Sequence, residues 1–93
     1  MIRTFACKET EKIWDGIRSS KLPEGIQKRA LAKLRQLDAA VDIDDLKSPP
    51  GNKLENLKGR RKGQVSIRIN QQWRICFVFL KGGAYEVEIV DYH

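Results

Sequence analysis

Three apolar runs near the end of the chain decide its fold: QVSIRIN (Gln64–Asn70), WRICFVFL (Trp73–Leu80) and AYEVEIVD (Ala84–Asp91). The first and third runs alternate polar and apolar residues, whereas the middle run is apolar on both of its faces. The links between them, NQQ and KGG, are short and contain residues that favour turns. A period of two interrupted by such links predicts an antiparallel meander whose central strand is flanked on both sides.

The residues ahead of the meander predict one strand and two helices. The strand is Ile2–Cys7, the first helix runs from Lys8 to about Arg18, and Pro23 occupies the first position of the second helix. Apolar residues at helical spacing mark the buried faces. They are Ile13, Trp14 and Ile17 in the first helix, and Ile26, Ala30, Leu34, Leu37 and Val41 in the second.

A loop, residues 42–52, separates these helices from the meander and contains one short turn around Ile43–Leu46. The loop holds three aspartates without the ordered spacing of a calcium loop, so we expect them to be solvated. The predicted class is therefore α+β. A short N-terminal strand, two helices and a C-terminal antiparallel meander form one twisted sheet, with the helices on one face.

Length and composition indicate a single folded domain, residues 1–93. Hydrophobic residues make up 41% of the chain and charged residues 32%, which is typical of a globular protein. No signal peptide or membrane-spanning run is visible, so we expect a cytoplasmic protein. Cys7 and Cys76 are expected to be buried, unpaired thiols in strands. Two distant cysteines and a single histidine give no metal-ligand spacing, so we expect neither a metal nor another cofactor.

The positive charge is concentrated in one stretch. Between Lys53 and Arg74 there are seven basic residues and one acid, Glu55, which together carry +6. The other 71 residues hold eleven basic and eleven acidic side chains and sum to zero. Such a focused potential suits a polyanion, of which nucleic acid is the commonest in cytoplasm. Other cations lie off the apolar stripe of the second helix and form either a solvated face or a docking surface. They are Lys28, Arg29, Lys33 and Arg35.

Strand parity indicates which polar side chains can converge. If the aliphatic positions of the meander face the helices, then Ser66, Arg68, Arg74 and Cys76 face away from them. Arg68, Arg74 and Tyr92 then share an open face beside the segment that carries Glu55 and Lys58. The two arginines could instead pair across strands with Glu86 and Glu88. Tyr92 could be a base-stacking platform or an ordinary strand tyrosine, and His93 a frayed terminus. Trp14 and Trp73 are expected in the core.

Several of these segments resemble the HigB-type toxins of the RelE/ParE superfamily. They are SPPGNKLENLKG (Ser48–Gly59), GQVSIRINQQWRICF (Gly63–Phe77) and VEIVDYH (Val87–His93). The resemblance spans the whole chain. It implies a RelE-like fold and a bacterial toxin that cuts translated messenger RNA in the ribosomal A site, without metal. It also implies a helix-turn-helix antitoxin that neutralises the toxin, and a toxin–antitoxin complex on operator DNA. No membrane or small-molecule ligand is implied.

The resemblance assigns roles to two groups of residues. The catalytic group is His93, Tyr92, Asp91, Glu55, Arg68 and Arg74. The RNA-binding group is Lys53, Lys58, Arg60, Arg61 and Lys62.

Some members of the family have a histidine at the position of Glu55, whereas the branch with the Pro-Pro-Gly-Asn motif has Glu there, as this chain does. Many members have an aspartate at the position of Arg60 and an aromatic residue or histidine at that of Val65. The general base is therefore open between Glu55 and His93. Histidine titrates near ~6.5, close to working pH, which favours His93 as the principal proton carrier. The alternative function is a non-catalytic ParE-like toxin that inhibits DNA gyrase by binding; the terminal Asp91-Tyr92-His93 disfavours it.

Overall fold

The meander is present and is extended by a fourth strand. A computed structural model of the chain describes residues 1–92. Its helices are α1 (Lys8–Trp14) and α2 (Glu24–Ala39), and its strands are β1 (Glu55–Asn56), β2 (Val65–Arg68), β3 (Trp73–Leu80) and β4 (Gly83–Asp91). The strands form one antiparallel sheet in the order β1-β2-β3-β4, which confirms the predicted α+β class. No helix within residues 1–92 has the length and apolarity needed to cross a membrane.

Helix α2 lies on one face of the sheet and closes the core. Ala30, Leu34 and Leu37 are fully buried, and they pack in one cluster with Ile75 and Phe77 of β3. Each fully buried aliphatic side chain contributes roughly 1.5–3 kcal/mol relative to an exposed one. A slip of one residue in the β2–β3 register would turn these side chains away from α2 and lose that contribution. The register is therefore fixed by burial.

Two positions of the predicted apolar stripes are exposed, because the helices end earlier than the pattern suggests. Helix α1 ends at Trp14, and Gly16 adopts a φ of +78° while its N–H donates to the carbonyl of Ile13. Ile17 is consequently 54% exposed. Helix α2 ends at Ala39, so Val41 is 78% exposed.

The N-terminal segment is extended but is not the regular strand that was predicted. Only Ile2 and Phe5 form bridges, with Ala84 and Val87 of β4. Between the two bridges, Glu86 adopts a φ of +55° and its N–H donates to the Thr4 hydroxyl. Cys7 lies at the start of α1 rather than in a strand. Both cysteines are free thiols.

The segment before β1 is anchored on α2 by Asn52, which is fully buried. Its carboxamide oxygen accepts from the Lys33 ammonium at 2.5 Å, and its nitrogen donates to Gln36 and to the carbonyls of Leu46 and Ser48. Lys33 is therefore part of the packing rather than of a solvated face. The predicted short turn upstream is present as a 3₁₀ helix, Ile43–Lys47.

Candidate active site

Arg74 is the centre of the candidate site, on the face of the sheet opposite α2. Its side chain is 8% exposed. Its Nε donates to the Ser66 hydroxyl at 2.7 Å, and one terminal nitrogen donates to the backbone carbonyl of Lys53. Strand pairing supplies the first acceptor, since Ser66 lies on the same face of β2. The left-handed conformation of Lys53, with φ +47°, accompanies the second. The guanidinium is thus held in one position.

Tyr92 and Glu55 join Arg74 from the two edges of the sheet. The Tyr92 ring centre lies 5.5 Å from Cζ of Arg74, which is within the range of a cation–π contact. The Tyr92 hydroxyl donates to Oε1 of Glu55 at 3.2 Å. Glu55 is on β1, opposite Ser66, and is exposed. A guanidinium, a phenol and a carboxylate therefore meet at a surface that solvent and a ligand can reach.

The phenol of Tyr92 is held in its protonated form. Its hydrogen bond to Glu55 raises the pKa of Tyr92 above the usual value for tyrosine, and the charge of that carboxylate acts in the same direction. At neutral pH the Tyr92 hydroxyl is therefore the donor in its hydrogen bond with Glu55.

The end of β4 positions Asp91, another residue of the predicted catalytic group. The carboxylate of Asp91 accepts two hydrogen bonds from the Gln72 amide, at 3.2 and 3.1 Å. The backbone N–H of Tyr92 donates to the Gln72 carbonyl. His93 lies outside the described residues, so the prediction that Asp91 orients it stays a prediction.

Arg68 takes a different position from Arg74, although the two are register partners in β2 and β3. Its Nε donates to the carbonyl of Asn70 at 3.0 Å, and it lines a cleft with Arg29 and Lys33 of α2. The structure therefore does not place Arg68 in the contact network of Arg74 and Tyr92. The alternative pairing with Glu86 and Glu88 is also absent for both arginines within residues 1–92.

Four of the five predicted RNA-binding cations are exposed: Lys53, Lys58, Arg60 and Lys62. Arg61 is instead partly buried and forms an ion pair with Glu88 at 3.3 Å. This ion pair links residues 53–62, which are called the basic segment, to β4. The open face expected from strand parity is thus covered in part, and Ser66 and Cys76 are fully buried beneath it.

The buried thiol of Cys76 is no candidate for a nucleophile. Burial raises the pKa of Cys76, which disfavours the reactive thiolate. No cluster of three potential metal-ligating residues occurs within residues 1–92. Arg74, Tyr92 and Glu55 offer a ligand charge stabilisation and hydrogen bonds.

Sequence reasoning missed the groups that hold Arg74. Strand parity placed Ser66 on the correct face but gave it no role. The sequence predicted a role for the side chain of Lys53, whereas the backbone carbonyl of Lys53 contacts Arg74. Alternation in β2 could have pointed to Ser66, because a small hydroxyl beside an outward arginine is a ready acceptor. No sequence signal marks the carbonyl.

Comparison with solved structures identifies proteins of similar fold. Among solved structures, the YoeB toxin–YefM antitoxin complex of Staphylococcus aureus contains a chain of similar fold, with a TM-score of 0.63, 20% identity and coverage of 100% of this chain and 95% of that one. A second structure of that complex gives a TM-score of 0.57 at 16% identity, covering 100% and 98%. The chain therefore shares the fold of a chain in these two complexes.

The family follows from sequence. Residues 3–93 match the family described as the RelE-like toxin of type II toxin–antitoxin system HigB. The chain is 43% identical over 85 residues to toxin HigB-1 of Vibrio cholerae, covering 90% of each chain. It is 34% identical over 93 residues to endoribonuclease HigB of Proteus vulgaris, covering 100% of each. The chain belongs to the HigB family of RelE-like toxins.

The contact between Tyr92 and Glu55 predicts a specific titration. In a Tyr85→Phe background only Tyr92 contributes phenolate absorbance, and Glu55→Gln in that background should lower the Tyr92 pKa because the neighbouring negative charge is removed. Spectrophotometric titration at alkaline pH measures the shift. Because the folded-state pKa is raised, the contact stabilises the fold below pH ~10 and this contribution is lost as pH rises through the folded pKa. An unchanged midpoint in Glu55→Gln would contradict the contact.

Proposed function

We propose that the chain is a ribosome-dependent endoribonuclease that cuts translated messenger RNA by attack of a ribose 2′-hydroxyl on the adjacent phosphorus. The observation that carries the proposal is a fixed, nearly buried Arg74 beside Tyr92 and Glu55, in a family that includes a relative named endoribonuclease. Ribosomes would bring the enzyme and its substrate together, which puts the activity in the cytoplasm.

Arg74 stabilises the charge that develops on the phosphate. In-line attack places extra negative charge on the non-bridging oxygens, and a donor fixed in advance lowers the barrier without reorganising. Ser66 and Lys53 occupy Nε and one terminal nitrogen, which leaves Nη1 without a hydrogen bond within residues 1–92. That nitrogen is the one that binds the scissile phosphate in this proposal.

The remaining groups divide the proton transfers and the positioning of the base. Cleavage needs one group to remove the 2′-hydroxyl proton and another to protonate the departing 5′ oxygen. His93 is the principal proton carrier and Glu55 a weaker base or a positioning group, while Asp91 orients His93. Tyr92, protonated and 40% exposed, donates a hydrogen bond or stacks on a base. Arg68 was expected to brace the scissile phosphate together with Arg74, but its side chain lines the cleft beside Arg29 and Lys33.

The exposed cations of the basic segment bind the surrounding RNA phosphates. Lys53, Lys58, Arg60 and Lys62 supply this attraction, which carries no sequence information. Arg61 contributes less, because its charge is already partly compensated by Glu88.

The protein partner is an antitoxin, as expected of a type II toxin, and we assign it a helix-turn-helix domain that carries the complex to operator DNA. The exposed sides of α1 and α2 lie on the face of the sheet opposite Arg74 and offer a docking surface.

Co-expression with the adjacent gene tests the assignment of an antitoxin partner. We expect to recover a stable complex; recovery of free toxin alone would contradict the assignment.

Transcript-end mapping after brief induction tests the proposed function. We expect new 5′ ends within translated reading frames, in register with codons, because the message is presented in the ribosomal A site. The control is a message whose start codon is removed, which should stay intact. Intact translated messages accompanied by stalled DNA gyrase would overturn the proposal in favour of a ParE-like binder.

Deletion of His93 and the substitution Glu55→Ala separate the two candidate proton carriers. Loss of His93 should reduce the single-turnover cleavage rate on ribosomes by about 100-fold or more, as expected for removal of a general acid or base. Glu55→Ala should cost less. Circular dichroism and antitoxin binding control for folding. Near wild-type cleavage without His93, combined with inactive Glu55→Ala, would transfer the proton step to Glu55.

A further inference from the structure

A basic cleft of about 450 Å³ opens between α2, the Pro-Pro-Gly segment and the β2–β3 turn. Three cations line it, and no carboxylate does. Arg29 and Lys33 enter from α2 at positions i and i+4, and Arg68 enters from the end of β2. Like charges at this helical spacing destabilise a helix slightly when nothing compensates them. The arrangement is therefore suited to an anion.

Arg68 lines this cleft at the outer edge of β2, on the side away from β3. Strand β1 pairs only with Val65 and Ser66, so the sheet edge beside Arg68 is open. The hydrogen bond from its Nε to the Asn70 carbonyl fixes the guanidinium there. Both terminal nitrogens of Arg68 are without a hydrogen bond within residues 1–92, and two parallel donors of this kind match a phosphate.

Lys33 is held in place by the packing of the loop. Its ammonium donates to the buried Asn52, a neutral acceptor that does not cancel its charge. Burial lowers the pKa of Lys33, and the nearby Arg29 lowers it further. A bound anion would reverse the second effect. Arg29 itself is exposed and adds charge at the mouth of the cleft.

The lining also indicates which part of a nucleic acid would be bound. Among residues 1–92, no aromatic ring on which a base could stack lines the cleft. Pro49 and Ile69 give it apolar walls, and the polar groups are all cations or amides. Such a site is suited to the sugar–phosphate backbone, which positions an RNA without reading its sequence.

We propose that Arg29, Lys33 and Arg68 form a second phosphate-binding site, which holds a backbone phosphodiester of RNA next to the Arg74 site. The choice of RNA as the polyanion rests on the proposed function. Arg68 and Arg74 are register partners in β2 and β3, so the backbone positions that carry one residue of each site are adjacent. An RNA held at both is fixed at two points rather than one.

The charge reversal Arg29→Glu tests the site, with Arg35→Glu as the matched control. Arg35 is exposed on the same helix and lies outside the cleft, so both variants lose the same net charge. Affinity for ribosomes programmed with a 2′-O-methyl message is measured as a function of salt, because this message binds but cannot be cut. Arg29→Glu should bind about tenfold more weakly near 0.1 M salt, with a log–log slope shallower by about one phosphate contact. Arg35→Glu should remain within about threefold of wild type.

Equal effects of Arg29→Glu and Arg35→Glu would overturn the site, and would leave the proposed cleavage unaffected. The same comparison on vacant ribosomes identifies the source of the phosphate. A loss that persists there indicates ribosomal RNA, and a loss confined to programmed ribosomes indicates the message. Both results support the site.

A binding measurement without ribosomes decides the proposal even if the protein proves not to cut RNA. A 2′-O-methyl RNA hexanucleotide is titrated into ¹⁵N-labelled protein. Saturable shifts of the Arg68 Nε–H and the Asn70 amide are expected in wild type and in Arg35→Glu, and weaker ones in Arg29→Glu. Absence of such shifts in wild type would overturn the site.

Discussion

The guanidinium of Arg74 is the group on which the candidate active site depends. Burying a cation is costly, and the cost is usually offset by a carboxylate. Here the acceptors are a hydroxyl and a backbone carbonyl, with an aromatic ring nearby, and no ion pair to Arg74 occurs within residues 1–92. The positive charge is therefore fixed but not cancelled. A phosphate about 4 Å away would gain on the order of 4 kcal/mol of Coulomb energy near a protein surface, against about 1 kcal/mol in water.

Strand β3 contributes side chains both to the core and to the candidate active site. In β3, Ile75 and Phe77 face α2, while Arg74 and Cys76 face the opposite side, so the packing that fixes the register also fixes the guanidinium. The Lys53 carbonyl is supplied by the segment that Asn52 anchors on α2. Helix α2 thus acts on the site through a chain of packed groups, without touching Arg74.

Strand parity explains how much could be predicted. The period of two in the meander placed Arg74 and Ser66 on one face. Most inward positions predicted from it are buried, whereas Val65 and Phe79 are only partly buried. Strand β1 was missed, because two polar residues, Glu55 and Asn56, show no periodicity and pair only through tertiary structure. The predicted helix ends were wrong at Ile17 and Val41. Both residues have the spacing of the apolar stripe, but each lies beyond the residue at which its helix ends.

The charged residues were the hardest to predict, since their roles depend on neighbours that are distant in sequence. In the sequence, Arg61 is indistinguishable from the exposed cations beside it. In the structure it pairs with Glu88, which is 27 residues later. Lys33 reads as solvated but supports a buried loop. Arg68 alternates with the core residues of β2, as Arg74 does with those of β3. Strand β1 is too short to pair with β2 beside Arg68, and the Arg68 side chain lines the cleft next to α2. The functional roles of the cluster, and of His93, remain predictions.

In the proposed function, the fixed geometry of Arg74 supports cleavage, and not merely its charge. Arg74→Lys keeps the charge but loses the fork of nitrogens that contacts Ser66 and Lys53 together. The decisive measurement is the single-turnover rate of message cleavage on ribosomes for this variant, with thermal unfolding and antitoxin binding as folding controls. The account predicts a rate about 100-fold lower, equivalent to about 2.7 kcal/mol of barrier. A folded Arg74→Lys protein that cuts within about threefold of the wild-type rate would contradict it.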